Sequence, residues 1–139
     1  MRIIAIGLIL SLLVGCTTEN KRDNSRFEIY DDYIVKNQLP SLKKVRVFKL
    51  QDWKSLDNRH LILSSYQTKQ YLVSLAHYCN NLELANAIIV KQTLNNSLNA
   101  QFDAILIDRE PSVPCYIKSI HEINAEQQNE ILVLRKNNI

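Results

Sequence analysis

The chain contains only two glycines, Gly7 and Gly15, and both lie among its first 15 residues. Phosphate-binding loops, dinucleotide-binding loops and the Gly-x-Ser-x-Gly turn of hydrolases need glycine where the backbone bends sharply or approaches a ligand. The sequence after Gly15 therefore excludes all three kinds of site. Turns that need a positive φ must use Asn or Asp instead, and we expect them at Asn58 and at the Asn pairs 80–81 and 95–96.

The first 20 residues have the layout of a secretory signal peptide. Arg2 precedes an apolar run from Ile3 to Val14, and polar residues begin directly after Cys16. A helix over this run would span about 18 Å, which is too short for a bilayer core of about 30 Å. The sequence Leu13-Val14-Gly15-Cys16 resembles the lipobox of bacterial lipoproteins. The resemblance implies cleavage before Cys16 and lipidation of its thiol.

The lipoprotein interpretation divides the chain into a signal peptide at 1–15, a lipidated tether at 16–24 and one globular domain at 25–139. Two or more acyl chains on Cys16 would anchor the protein stably to a membrane. Thr17 follows Cys16, whereas Gram-negative lipoproteins that stay in the inner membrane usually have Asp there. We therefore expect a location in the bacterial cell envelope, at the outer membrane and facing the periplasm.

Charge and length restrict the remaining function classes. Removing residues 1–15 leaves 124 residues, which is enough for one domain with a hydrophobic core. That part has 16 basic and 14 acidic residues, and the basic residues are scattered. This balance does not predict a nucleic-acid partner. No sequence motif predicts a cofactor.

Two cysteines remain besides Cys16, namely Cys79 and Cys115. In an exported protein the simplest state of such a pair is a structural disulfide. A redox or metal-binding pair is the alternative, although the chain contains no Cys-x-x-Cys motif. The histidines His60, His77 and His121 match no metal-ligand spacing either, so the sequence predicts no metal site.

The residue pattern predicts an α+β fold. Ser25 and Glu28 suit a capping box at the start of a helix over 26–37, and Asn124 suits the N-cap of a helix over 125–135. An apolar run at 131–134 leaves a strand possible there. Strands are predicted at 45–50, 59–64, 70–75, 87–92, 98–102, 104–107 and 115–120, with a hairpin at Asn95-Asn96. We expect a bent antiparallel sheet or small β-barrel, flanked by the N- and C-terminal helices and tied by one disulfide.

Two acidic residues are candidates for chemistry. Asp57 lies close to Arg59 and His60, and a carboxylate beside an imidazole can act as a general base. The favoured alternative is a turn in which Asp57 accepts backbone N–H groups and pairs with Arg59. Asp103 precedes an apolar strand, where it would be a buried acid with a raised pKa or, more commonly, a turn cap or a partner of Arg59.

Aromatic residues suggest a possible binding surface. Trp53, together with Tyr66, Tyr71 and Tyr116, could line a groove for a sugar or a peptide. Packing in the core and against the sheet is the favoured interpretation. Trp53, Asp57, Arg59, Tyr71 and Asp103 are accordingly the candidate binding residues, and no residue is assigned a catalytic role.

From about residue 27 to residue 123 the chain also resembles a family of small proteobacterial lipoproteins of unknown function. The resemblance depends on Trp53, Asp57-x-Arg59, Tyr71-Leu72-x-x-Leu75, Cys79-x-x-Leu82, Phe102-Asp103 and Cys115-x-Ile117. It implies one exported domain in which Cys79 and Cys115 are paired. It implies no activity, because none is assigned to that family.

These observations favour a non-enzymatic envelope lipoprotein that binds an envelope protein or a cell-wall component. A small hydrolase or lyase that uses Asp57, His60 or Asp103 is the first alternative. It requires at least two of the candidate acids and histidines within hydrogen-bonding reach in one concave site. Carriage of a lipid or another small apolar ligand inside the barrel is the second, and it requires an internal apolar cavity.

Overall fold

The computed structural model describes residues 21–108 and 113–139 of the chain. The predicted signal peptide and the predicted lipidation site, Cys16, lie outside these residues. Within them, two helices flank a curled, six-stranded antiparallel sheet that forms a half-barrel, which confirms the predicted α+β class. No helix in this part of the chain is long and apolar enough to cross a membrane.

Helix α1 spans Lys21–Lys36 and helix α2 spans Ala125–Asn137. The main sheet has the strand order β2-β3-β4-β8-β7-β5, and β1 pairs separately with β6. The strands are β1 Lys44–Val45, β2 Asp52–Ser55, β3 His60–Ser64, β4 Gln70–Leu75, β5 Ile88–Lys91, β6 Leu98–Asn99, β7 Ala104–Ile107 and β8 Cys115–Ile123.

Side chains alternate between the two faces of the central strands, and both faces are apolar. The concave face packs into one core, whose fully buried members include Phe48, Leu61, Leu63, Val73, Leu75, Leu82, Leu98, Ile105, Ile117 and Ile120. The convex face of β3, β4 and β8 packs against the helices in a second core, formed by Tyr30, Tyr33, Leu39, Leu56, Ile62, Leu72, Ile123 and Ile131. The second core fixes both helices on the same face of the sheet.

The helix ends show how far local signals predicted the structure. Asn124 is the N-cap of α2 as predicted, and it forms a reciprocal capping box with Gln127. The run 131–134 is therefore helical. Helix α1 begins at Lys21 rather than near residue 26, so Ser25 lies inside the helix and is not its cap. Lys21 to Asn24, assigned to the tether from the sequence, are also helical.

The predictions for the strand regions 45–50 and 87–102 were partly wrong. β1 ends at Val45 rather than at residue 50. Val47 is exposed and Phe48 is buried, so the alternation expected of a strand does not continue beyond Val45. No hairpin pairs 98–102 with 87–92, because β6 pairs with β1, and β5 pairs with β7 instead. The polar segment that contains β2 was missed, since edge strands need little apolar character.

The lack of glycine affects the turns as expected only in part. Asn81 and Asn96 have positive φ, as predicted, but Asn58 does not. The other described residues with positive φ are Gln38, Gln67, Thr68 and Gln101. The chain therefore also places glutamine and threonine in the left-handed region, where a side chain with a Cβ is less favourable than glycine.

Cys79 and Cys115 form the predicted disulfide, with their Cα atoms 5.8 Å apart. Cys79 lies in the loop after β4, and Cys115 is the first residue of β8. The backbone N–H of Cys79 donates to the carbonyl oxygen of Asn58 at 2.7 Å. The disulfide thus ties the loop after β4 to the start of β8, and the hydrogen bond to Asn58 holds the same loop next to the loop between β2 and β3.

Candidate functional site

A buried histidine connects helix α1 to the loop between β2 and β3. His60 is only 2% exposed, and its Nδ1 lies 3.0 and 3.1 Å from the two carboxylate oxygens of Asp57. Its Nε2 lies 3.1 Å from Oδ1 of Asp31 on α1. Oδ1 of Asp57 also accepts the backbone N–H groups of Arg59 and His60, each at 2.6 Å. We call Asp31, Asp57 and His60 the histidine clamp.

The geometry of the histidine clamp favours a protonated imidazole. Ionised carboxylates only accept hydrogen bonds, so both ring nitrogens of His60 must carry a hydrogen to satisfy both acids. Burial on its own lowers the pKa of His60, but the hydrogen bonds to Asp31 and Asp57 outweigh it and raise the pKa above its ordinary value. The clamp is therefore a charge-assisted attachment of α1 to the sheet.

This arrangement does not suit general-base catalysis. A general base needs a free ring nitrogen that can reach the proton of a substrate. Both nitrogens of His60 are engaged by carboxylates, and the ring of Tyr30 lies 5.2 Å from its centroid. Asp31 is the accessible member of the clamp, since it is 51% exposed. The clamp therefore supports positioning of α1 rather than hydrolysis.

The stability of the domain should depend on pH through His60. Because its folded pKa is raised above 6.5, the stabilisation is complete below about pH 6.5 and is lost as the pH rises through the folded value. Asp31 acts with the opposite sign. Its hydrogen bond to His60 lowers its pKa below 3.8, so its contribution is lost as the pH falls through that lowered value. Urea denaturation over a pH series should show both losses.

A matched variant isolates the clamp. Asp31→Asn keeps an acceptor oxygen but removes the charge, so the alkaline loss of stability should begin at a lower pH than in the parent. Titration of the His60 ring by NMR should show the same displacement directly. Superimposable stability curves and titrations for the two proteins would contradict the assignment.

Asp103 serves a different structural purpose. It is fully buried, and its carboxylate accepts the backbone N–H groups of Thr93 and Asn99, both at 2.7 Å. The side chains of Thr93 and Asn99 donate to it as well. The predicted turn cap is thus confirmed, but the partners are these loop groups and not Arg59. These bonds organise residues 93–103 into a compact loop, which explains why no simple hairpin forms there.

The other candidate binding residues do not converge on one surface with Asp57 and Asp103. Trp53 and Tyr71 both lie opposite Leu63 in the sheet and pack in or against the concave core. Among the described residues, no ion pair joins the guanidinium of Arg59 to the carboxylate of Asp57; its guanidinium carbon instead lies 5.8 Å from the centre of the Phe27 ring. A binding role for these residues stays a prediction.

A groove lies between α1 and α2. It has a volume of about 1230 Å³, and we call it the interhelical groove. The residues that line it are Ile29, Asp32, Tyr33, Val35 and Lys36 from α1, Asn37 directly after α1, and Ala125, Glu126, Asn129, Glu130, Val133 and Leu134 from α2.

The groove combines exposed apolar side chains with an acidic rim. Val35 is 75% exposed and Val133 is 57% exposed, which are large fractions for apolar residues in helices. Asp32, Glu126 and Glu130 outnumber Lys36, so the lining is net negative. The hydroxyl of Tyr33 donates to Glu130 at 2.5 Å, and burial together with this hydrogen bond raises the pKa of Tyr33.

A protein family described as a family of unknown function, DUF6491, matches residues 1–137 of the chain. The chain belongs to this family. No curated protein and no solved structure matches it. The function of DUF6491 is unknown, so the histidine clamp and the interhelical groove of this DUF6491 protein must be interpreted from their own geometry.

Sequence reasoning missed two features of the site. Asp31 is four residues after Phe27 and adjacent to Tyr30, so helical periodicity placed it beside the buried stripe of α1 and could have revealed it. Ser74 lies directly opposite His60 in the sheet and is 3% exposed, and its hydroxyl has no hydrogen-bond partner among the described residues. No local signal distinguishes Ser74 from the other serines.

Proposed function

We propose that this protein is a non-catalytic, lipid-anchored interaction module of the bacterial cell envelope, and that its binding surface is the interhelical groove. The observation that carries the proposal is the acidic, apolar lining of that groove. The lipobox at residues 13–16 supports the anchor. The engagement of both nitrogens of His60 argues for binding rather than hydrolysis.

The proposed occupant of the groove is an amphipathic helix from an envelope protein, with basic residues along its edges. Two helices with an apolar channel between them accept a third helix through apolar anchors spaced three and four residues apart. Val35 and Val133 supply contacts for such anchors. Asp32, Glu126 and Glu130 favour lysine and arginine at the edges of the partner helix.

The anchor would keep this groove close to the membrane. Five residues lead from Cys16 to Lys21, and an extended chain of that length spans at most about 18 Å. Ile29, the first groove residue on α1, is eight positions further along, which adds about 12 Å of helix. A lipid on Cys16 would therefore restrict partners to proteins at or near the same membrane.

The filled concave face of the sheet argues against carriage of a lipid inside the half-barrel. Carriage requires an internal apolar cavity of a few hundred Å³ or more. The concave core instead contains Leu61, Leu63, Val73, Ile105 and Ile117, all with no exposed surface. We therefore place ligand binding on the outer surface, between the helices.

Site-specific photocrosslinking in intact cells tests this proposal. A photoreactive amino acid at Val133 of the lipidated full chain should give a protein adduct, and mass spectrometry should map it to a basic amphipathic helix. The same probe at Val47, which is 72% exposed but outside the groove, is the matched control and should not give that adduct. The adduct should be lost in Cys16→Ala, because the unanchored protein leaves the membrane.

Charge reversal sharpens the test. Asp32→Lys combined with Glu126→Lys should lower the yield of the Val133 adduct about five- to tenfold, since two exposed rim charges contribute roughly 1 kcal/mol together. Both residues are exposed, so circular dichroism should show an unchanged fold. The groove assignment would be refuted by equal adduct yields from the probes at Val133 and Val47. It would also be refuted if the Val133 probe gave adducts only to lipid, to cell wall, or to acidic or extended protein segments.

A further inference from the structure

The six-stranded sheet ends in two edge strands that differ in their protection. β2, Asp52–Ser55, carries Asp52 and Lys54, and charged residues on an edge discourage pairing with another chain. β5, Ile88–Lys91, consists of three β-branched residues and one lysine. Within residues 21–108 and 113–139, β5 is hydrogen-bonded along the sheet to β7 alone.

The register of β5 indicates which of its backbone groups point outward. The N–H of Asp108 donates to the carbonyl oxygen of Ala87 at 3.3 Å, so these two residues form a hydrogen-bonded pair. Such pairs alternate along an antiparallel ladder, so Ile89 and Lys91 also bond to β7. Ile88 and Val90 therefore direct their N–H and C=O groups to the free edge.

The convex face next to this edge carries exposed apolar side chains that the helices do not cover. Helices α1 and α2 pack on Ile62, Leu72 and Ile123 in β3, β4 and β8. Further along the sheet, Ile89 is 54% exposed and lies directly opposite Leu106, and Tyr116 on β8 is 49% exposed. An exposed edge and an exposed apolar face thus meet at Ile89.

We propose that β5 pairs with β5 of a second copy of this chain, antiparallel about a two-fold axis that passes beside Ile89. The two half-barrels would then share one continuous sheet. In this register Ile88 of each copy pairs with Val90 of the other, and all of their outward N–H and C=O groups are satisfied reciprocally. The two Ile89 side chains meet at the axis on the convex face.

Charge complementarity favours a second copy in this register over another strand. Lys91 of one copy would lie opposite Ala87 of the other, and Ala87 is itself paired with Asp108. Side chains of the three residues share the convex face, and two strand spacings separate Lys91 from Asp108 by about 10 Å between Cα atoms. The small side chain of Ala87 leaves room for Lys91 to reach Asp108, and the two-fold axis repeats the pair.

Cysteine crosslinking in intact envelopes tests the pairing. Ile89→Cys in the full chain places two thiols at a non-hydrogen-bonded pair, where the Cα separation suits a disulfide. Mild oxidation should yield a covalent dimer of twice the monomer mass, at least about tenfold more than Lys54→Cys on the other edge strand. Lys54 is also exposed and is the matched control for random collision.

A charge swap tests the register and needs no change in the core. Adding Lys91→Asp to Ile89→Cys should lower the yield of the crosslinked dimer about threefold or more, because two carboxylates then face each other. Adding Asp108→Lys as well should restore the yield. Three results would each overturn the proposal. These are equal crosslinking at positions 89 and 54, adducts of Ile89→Cys only to other proteins, and a dimer yield that does not respond to the charge swap.

Discussion

Replacing His60 with leucine should lower the free energy of unfolding by about 3–5 kcal/mol. His60 is the only group in the histidine clamp that donates to both carboxylates, and Asp57 is 2% exposed. Removal of the imidazole therefore leaves a buried carboxylate without its cationic partner. Urea denaturation at pH 6 measures the loss, because the folded imidazole is protonated there.

Two controls separate the charge effect from the loss of packing. His77→Leu changes an exposed histidine and should alter stability by no more than about 0.5 kcal/mol. Asp57→Asn keeps an oxygen for the backbone N–H groups of Arg59 and His60 but removes the charge. In that background His60→Leu should cost clearly less than it does alone. Equal costs in both backgrounds would show that the buried charge is not responsible.

Removing the disulfide should be nearly as damaging. The double variant Cys79→Ala, Cys115→Ala opens a loop with a sequence separation of 36, which should lower the free energy of unfolding by about 3–4 kcal/mol. The melting temperature should fall by about 10–20 °C. Differential scanning calorimetry of the double variant and its parent measures the difference.

The parent for this comparison should carry Cys16→Ala, so that both proteins lack the proposed lipidation site. A chemically reduced parent should approach the stability of the double variant. A loss smaller than about 1 kcal/mol would mean that the rest of the core already restrains the loops that Cys79 and Cys115 connect.

The histidine clamp and the disulfide support both proposed interaction surfaces, the interhelical groove and the edge strand β5. The histidine clamp holds α1, and α1 supplies half of the interhelical groove. The disulfide connects the loop after β4 to β8, which carries Tyr116 on the convex face. Variants that test binding or pairing should therefore leave the clamp and the disulfide intact, as the exposed substitutions at 32, 89, 91, 108, 126 and 133 do.

The sequence predicted those features that depend on neighbouring residues. Asn124 caps α2 because its side chain and that of Gln127 lie three positions apart, and the alternating residues of β4 place Tyr71, Val73 and Leu75 on one face. The paired cysteines were predicted because an exported chain with two remaining thiols has few other stable states. Each of these inferences needs only a short window or the residue count.

The strand partners were harder to predict because pairing depends on distant segments. The sequence predicted a hairpin between the β5 region and residues 98–102. Instead, the carboxylate of Asp103 accepts the backbone N–H groups of Thr93 and Asn99, and these bonds fold that segment into a loop. β7 then occupies the place next to β5. Trp53 lies in the edge strand β2, whose residues are too polar to show the apolar alternation of period two by which strands are predicted.

By itself the sequence determined the fold class, the absence of glycine-dependent sites, the cysteine pair and the capped C-terminal helix, because composition and local periodicity encode them. Only the tertiary structure decided that Asp31, 29 residues before His60, completes the histidine clamp, and that two helices create the interhelical groove. Such sites arise where elements meet, and their geometry depends on packing and strand register, which no short window of sequence contains.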